Sequence, residues 1–289
     1  MTDAPRPWTV LRLLDWTQGY FARADVEEPR LSAEVLLACT LGCERVQLYT
    51  RSDHPVAADR LTVYRDFVRR AAAGEPVAYL TGRKEFYSLP LTVTPDVLVP
   101  RPETELLVDA ALAFVKPAGG GRMWDVCAGS GCVAVAAAKY APGLTVLATD
   151  ISPEALAVAA ENVSRHGLDG RVRLAEADLL GLDDAGEPVD VITANPPYVR
   201  DDEMPGLPGT VLCEPDIALR AGPTGLECIR RLVADAPPRL RPGGMLAMEI
   251  GLGQAEGVHG LLSAGGRYRD VRFLKDPAGI ERTVVALVK

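Results

Sequence analysis

The C-terminal end of the chain sets the tightest limit on its fold. Two apolar runs, RDVRFLKD and RTVVALVK, are separated only by PAGIE. A parallel pair needs a crossover of about a dozen residues or more, so these two strands must pair antiparallel. The region before them has another rhythm. From residue 122 onward RMWDVCAG reads as strand, GCVAVAAAKYA as helix, LTVLATD as strand, and SPEALAVAAENVSRHG as a helix with Ser152 as N-cap and Pro153 at its first position. RVRLAEAD, VDVITAN and GGMLAMEIG are further strands, the last preceded by the helix LECIRRLVADAPPRL. Such alternation predicts a parallel α/β sheet covered on both faces. With the final hairpin the expected sheet has seven strands, and its antiparallel end departs from the standard dinucleotide fold.

The first part of the chain reads differently. Residues 8 to about 76 have a helical period. WTVLRLLDWTQGYFARA places Val10, Leu13, Leu14 and Tyr20 or Phe21 on one face. SAEVLLACTLG is expected to start with Ser32 as N-cap and to end near Gly42. VAADRLTVYRDFVRRAAAGEP is a third amphipathic helix, closed by Gly74 and Pro76. The expected organisation is a small helical bundle over 1–76, a β-hairpin linker over 77–100 (VAYLTGRKEFYSLPLTVTPDVLVP), and the α/β domain over 101–289. That domain opens with RPETE, where Pro102 and the acids Glu103 and Glu105 suit a first helical turn.

Composition narrows the partners. Apolar residues make up 48% of 289, enough for a sizeable core, and the formal net charge of -8 argues mildly against duplex nucleic acid as the main partner. The six cysteines form no C-x-x-C pair and the three histidines are scattered, so neither a structural zinc site nor a disulfide framework is expected. Cys127 and Cys132 read as small packing residues, since nothing cationic stands near them in sequence. MTDAPRPWTV has no apolar core of signal-peptide type, and no stretch approaches the roughly 20 apolar residues of a membrane span. A soluble, reduced, cytoplasmic protein with no membrane partner is expected.

Three features of the α/β region point to chemistry. In DVCAGSGCVAVAA, Gly129 and Gly131 stand between a strand and a helix, where glycine lets a ligand approach the backbone and the helix start offers N–H donors. The next strand ends in Asp150, whose carboxylate could accept from both hydroxyls of a ribose. Alone this is ambiguous: the same residues satisfy the G-x-G-x-x-A form of a nicotinamide dinucleotide site, or a tight strand–helix turn packed by glycine. Asp178, read as the end of the third strand, suits an adenine amino group with Leu179 packing on its ring, or equally an N-cap for the next turn.

The third feature is DVITANPPYVR. An apolar run, Val191 to Ala194, stops at Asn195-Pro196-Pro197-Tyr198. Neither proline can continue a central strand, because neither has an N–H for the ladder. The Asn195 oxygen and the Pro196 carbonyl are placed to accept the two hydrogens of an NH₂ group, with Tyr198 packing on its plane. Holding both hydrogens aims the nitrogen lone pair at an electrophile, and no metal or strong base is needed.

The sheet pattern resembles that of class I methyltransferases, which bind S-adenosylmethionine in a Rossmann-like fold. N-P-P-Y in that setting resembles both adenine-N6 methyltransferases and protein glutamine methyltransferases. GEPVAYLTGRKEFYSLPLTVTPDVLVPRPETELLVD (74 to 109), EPDIALRAGPTGLECI, EIGLGQ and DPAGIER resemble the HemK/PrmC family, which methylates the glutamine of the Gly-Gly-Gln motif of peptide-chain release factors. The resemblance runs from about Ser32 to the end. It implies that Cys127, Ala128, Gly129, Ser130, Gly131, Asp150, Asp178, Leu179 and Asn195 contact S-adenosylmethionine, with S-adenosylhomocysteine as product and no metal. It further implies that Asn195, Pro196, Pro197 and Tyr198 hold the substrate, that Asn195, Pro196 and Tyr198 serve catalysis, that release factors are the protein partner with no stable nucleic-acid partner, and that the helical bundle grips them. The family usually has glycine where Cys127 stands and often an aromatic residue where Leu179 stands. RPETE is placed beside the active site by the resemblance, although Arg101, Glu103 and Glu105 also fit a plain charged helix start, and Glu249 at the end of the fifth strand fits a structural role. RPETE favours release factors over the alternative of a ribosomal-protein glutamine; an adenine-N6 nucleic-acid enzyme and a non-catalytic binding module remain rivals.

Overall fold

The computed structural model describes residues 7–289. The stretch MTDAPR, part of the segment read for a targeting signal, lies outside the described residues. The chain divides into two compact units, one of Met1–Gly82 with Pro208–Cys213, the other of Arg83–Leu207 with Glu214–Lys289.

The first unit is helical. Its elements are α1 (Val10–Arg23), α2 (Pro29–Leu41), the short α3 (Arg45–Thr50), α4 (Ala58–Ala72) and α5 (Val77–Thr81). The face of α1 that the spacing picked out is buried: Val10, Leu13, Leu14 and Phe21 pack with Leu36, Leu37 and Val68. Tyr64 is buried among them and its hydroxyl donates to Thr17 Oγ1 at 3.0 Å. Ser32 is not the N-cap of α2. The helix begins three residues earlier, with Pro29 at its first position, and the Ser32 hydroxyl donates back to Glu27 O at 2.8 Å. The expected end holds: Gly42 caps α2 in the left-handed region at φ 63°. Residues 77–81, expected in the hairpin linker, are the helix α5. The hairpin itself is confined to Arg83–Phe86 and Leu89–Thr92.

The second unit is built on a seven-stranded sheet. Its strands are β1 (Gly121–Val126), β2 (Leu144–Asp150), β3 (Val172–Glu176), β4 (Val189–Ala194), β5 (Leu240–Glu249), β6 (Tyr268–Lys275) and β7 (Glu281–Val288), in the order β6-β7-β5-β4-β1-β2-β3. The five strands from β1 to β5 run parallel, and β7 pairs antiparallel with both β5 and β6, as the short PAGIE link required. Strand β6 lies at the edge. Its ladder shifts register between Arg269 and Arg272, with Asp270 at φ 54°.

The period of two explains why both sheet faces are covered. Met123, Val191, Ala247 and Val285 join a core with α6 (Glu105–Val115) and α7 (Cys132–Tyr140). The alternate residues Trp124, Ile192, Leu246, Met248 and Val284 join a second core with Ile229, Leu232 and Val258 of the helices Glu227–Asp235 and Ala255–Ala264. Each fully buried side chain of this size stabilises the fold by roughly 1.5–3 kcal/mol. Trp124 meets its polar need inside the sheet, where Nε1 donates to Thr149 Oγ1 at 2.8 Å.

The strand order leaves a switch point between β1 and β4. Val126 pairs with Ala194, so the loops that follow these two strands leave the sheet side by side. In open parallel sheets the crevice at such a point is where ligands bind.

Candidate active site

A cleft of about 320 Å³ opens at that edge, wholly within the second unit. Cys127, Ala128, Gly129, Ser130, Asp150, Asp178, Leu179, Asn195 and Pro197 line it. Gly131, Pro196 and Tyr198 do not. Gly131 instead caps α7 at φ 75°, where a β-carbon would come within 3.2 Å of Ala159 Cβ, so it serves close packing of α7 on α8 (Pro153–Arg165).

The loop after β1 is a left-handed turn. Cys127 has φ 57° and Gly129 φ 54°. For cysteine this conformation costs on the order of 1–2 kcal/mol, which glycine would avoid. Leu179 shares the feature at φ 53°. Thus both positions where the chain departs from its family resemblance are non-glycine residues in a strained backbone beside the cleft. Burial pushes the Cys127 thiol well up and the Cys132 thiol up to about 12, so neither ionises at neutral pH.

Asp150 closes β2, where the strand–helix–strand reading put it. One carboxylate oxygen accepts from Gly129 N at 2.8 Å and the other from Ser152 N at 3.0 Å. Each oxygen keeps lone-pair capacity toward the cleft. Ser152 caps α8 as expected, its hydroxyl accepting from Ala155 N at 3.1 Å. Asp178 does not end a strand. β3 stops at Glu176, and Asp178 begins a turn in which its carbonyl accepts from Gly181 N at 3.0 Å. Its carboxylate is exposed and pairs with Arg231 at 2.8 Å.

Beneath the cleft lies Asp125, 2% exposed, on β1. It accepts from Thr193 Oγ1 at 2.7 Å across the β1–β4 ladder and from Ala134 N at 3.1 Å in α7. Burial pushes its carboxyl up to about 7; the two hydrogen bonds pull it down, and the nearby Asp150 adds to the rise.

Asn195 leaves β4 with its side chain tied on one side only. Nδ2 donates to Thr104 Oγ1 at 3.2 Å, while Oδ1 has no hydrogen-bond partner among the described residues. Thr104 Oγ1 donates to Glu249 Oε2 at 2.6 Å, and the Tyr198 hydroxyl donates to Glu249 Oε1 at 3.2 Å. Burial raises both the Glu249 carboxyl and the Tyr198 hydroxyl above their ordinary ranges. The loop is held from behind by Gln254, whose Nε2 donates to Tyr198 O at 3.0 Å and Gly225 O at 3.1 Å, while its Oε1 accepts from Gly251 N at 2.8 Å.

RPETE borders the cleft through Arg101 and Thr104. Arg101 forms an ion pair with the buried Glu214, whose other oxygen accepts from Val99 N at 3.0 Å. Glu105 faces elsewhere and accepts from Tyr87 N at 2.8 Å. Residue reading missed Thr104 as a partner of Asn195, and missed Cys228, Arg231, Ile217 and Arg220 as cleft residues. For Thr104, Ile217, Arg220 and Cys228 the one signal in the sequence was that RPETE and EPDIALRAGPTGLECI carried the family resemblance; Arg231 lies just beyond the second segment.

Comparison with known proteins identifies the family. Residues 12–82 match the family described as PrmC N-terminal domain, and residues 103–206 match the Methyltransferase small domain. A release factor glutamine methyltransferase of Rhodopirellula baltica is 43% identical over 97% of this chain and 97% of its own length. One of Geobacter sulfurreducens is 42% identical over 98% of each. Among solved structures, a methyltransferase from Pyrococcus furiosus has a TM-score of 0.51 at 20% identity, covering 80% of this chain and 98% of that one, a likeness of fold. No helix among the described residues is long and apolar enough to cross a membrane. By its identity to full-length relatives, the chain belongs to the release factor glutamine methyltransferase family.

Proposed function

We propose that this protein transfers a methyl group from S-adenosylmethionine to the side-chain amide nitrogen of the glutamine in the Gly-Gly-Gln motif of peptide-chain release factors. The observation that carries this reading is the Asn195 carboxamide, whose oxygen is free beside the cleft while its nitrogen is held. The residues fit the cofactor: a loop with glycine at the cleft wall, a carboxylate at the end of β2, and the Ser130 hydroxyl, buried in that wall beside the Cys132 thiol and with no backbone or oxygen partner among the described residues. When bound, the cofactor supplies an electrophilic methyl group. Cys127, Ala128, Gly129, Ser130 and Asp150 would hold its amino-acid and ribose parts, and Leu179 with Asp178 its base.

The chain's own work is orientation. An amide nitrogen is a weak nucleophile because its lone pair is delocalised. Asn195 Oδ1, at the cleft wall, accepts one of its hydrogens, and the carbonyl of the buried Pro196 behind it is the acceptor nearest in sequence for the other; fixed acceptors need no reorganisation as the nitrogen gains positive charge. The prolines keep φ near -65° and make the acceptor pair rigid. Tyr198, anchored through its hydroxyl to Glu249, supports this loop. The helical unit serves as the grip on the release factor, since a Gly-Gly-Gln loop alone offers little binding area.

Labelled S-adenosylmethionine, a purified release factor and this protein should give label on the Gly-Gly-Gln glutamine. Label that persists when that glutamine is replaced would sink the assignment. Label on an oligonucleotide instead would favour an adenine-N6 activity.

A further inference from the structure

We infer that Glu249 and Thr104 form a positioning relay that decides which end of the Asn195 carboxamide faces the substrate. The inference rests on the reading above, in which Asn195 Oδ1 accepts a hydrogen of the substrate amide. Three segments distant in sequence supply the relay: the turn at Pro102–Thr104, the loop after β4 and the last residue of β5.

A carboxylate only accepts hydrogen bonds. Glu249 therefore takes the single hydroxyl proton of Thr104, across 2.6 Å. With that proton spent, the Thr104 oxygen can only accept. It accepts from Asn195, 3.2 Å away, and the atom facing it must be the Nδ2 amide donor, because Oδ1 there would set lone pair against lone pair. The orientation of an asparagine amide follows from its partners; here it follows from a charge two residues along the relay. Oδ1 is consequently turned to the cleft as an acceptor. Thr104 and Glu249 are each 2% exposed, so water does not compete for these bonds.

The second Glu249 oxygen takes the Tyr198 hydroxyl proton at 3.2 Å. One buried carboxylate thus fixes both ends of the Asn195–Tyr198 segment. Glutamine at position 249 has one acceptor oxygen where the carboxylate has two, so either Thr104 or Tyr198 must lose its acceptor. If Thr104 loses it, the hydroxyl can turn and donate to Asn195 Oδ1, which presents an NH₂ group to an NH₂ substrate. Protonation of Glu249 has the same effect. The charged and titratable groups around it are Tyr198, Glu103, Arg282 and Cys132; Glu103 opposes its ionisation and Arg282 favours it.

The test is steady-state kinetics on a purified release factor with Thr104→Val, Thr104→Ser, Glu249→Gln, their Val/Gln double variant and Asn195→Ala. Calorimetric affinity for S-adenosylhomocysteine and thermal denaturation are measured beside them. Thr104→Val should lower kcat roughly tenfold to a hundredfold, by analogy with the loss when a hydrogen-bond partner that orients a metal-ligating side chain is removed. Cofactor affinity should stay within about twofold. Thr104→Ser restores most of the rate because it keeps the hydroxyl. Glu249→Gln lowers kcat and removes an acidic limb from its pH profile, and the double variant is no worse than the poorer single one. A folded Thr104→Val with wild-type kcat overturns the relay, as does a Ser variant as poor as Val. If Thr104→Val does not fold, Glu249→Gln decides: an unchanged kcat and pH profile overturn the relay. Asn195→Ala separates the two readings. Inactivity there with full activity in Thr104→Val refutes the relay alone, whereas an active Asn195→Ala refutes the site itself.

Discussion

Replacing Asp125 with asparagine should remove a pH dependence from the stability of the α/β unit. Asp125 is buried with two hydrogen-bond donors, Thr193 Oγ1 and Ala134 N, and its carboxyl is pushed up to about 7. The unfolded chain releases the same proton near pH 3.9. Between those limits the native state binds more protons than the unfolded one, so stability falls as pH rises. The benefit of the neutral carboxyl is complete below about pH 4 and lost as pH rises through about 7. The gap corresponds to roughly 4 kcal/mol once the group is ionised in both states. Asparagine keeps both contacts: its oxygen accepts from Ala134 N, and the Thr193 hydroxyl turns to accept from its NH₂. Relative to wild type, Asp125→Asn should therefore gain up to about 4 kcal/mol between pH 4 and pH 9. Hydrogen exchange of the β1 and β4 amides reads this unit separately from the helical one. A difference between variant and wild type that stays constant across that range would refute the reasoning. So would an asparagine variant at pH 9 as unstable as Asp125→Ala.

Other substitutions test other parts of the site. Gly131→Ala should lose about 1–3 kcal/mol in thermal or urea denaturation, because φ 75° is strained for alanine and its β-carbon meets Ala159 at 3.2 Å. Gly225→Ala places a β-carbon 2.7 Å from Tyr198 O and 2.8 Å from Gln254 Nε2, so it should break the Gln254 clamp and lower kcat; a wild-type rate would show that the clamp does not hold the loop. Cys127→Gly relieves the left-handed strain but adds backbone freedom, leaving stability within about 1 kcal/mol. It should tighten S-adenosylhomocysteine binding by clearing a side chain from the cleft wall, and equal calorimetric affinities would refute that.

The sheet was readable because its signals are local. Alternate residues of β1, β4 and β5 are apolar on both faces, and the five residues of PAGIE forced the antiparallel end. The helix Ala255–Ala264 escaped notice because Gly257 and Gly260 interrupt its period. Helix α5 escaped because Val77, Tyr79 and Thr81 have strand propensity that packing overrides. The misplaced start of α2 came from trusting a serine over Pro29, the stronger first-turn signal. That Asn195, Asp150 and residues 127–130 stand together at one cleft could be expected because strand ends in an α/β sheet share one edge, whereas Gly131 turned away into the packing of α7 on α8. The bond from Thr104 to Glu249 was not, since it spans 145 residues and only the folded sheet brings its ends together.

The shifted register of β6 bears on how this sheet ends. An edge strand with regular, unpaired backbone groups is a template for a strand from another molecule. Here the irregular ladder around Asp270 bends that template, and the exposed Arg269, Asp270, Arg272 and Lys275 place charge where an incoming strand would lie. The antiparallel hairpin that completes the fold thus also closes this edge of the sheet to further strand addition.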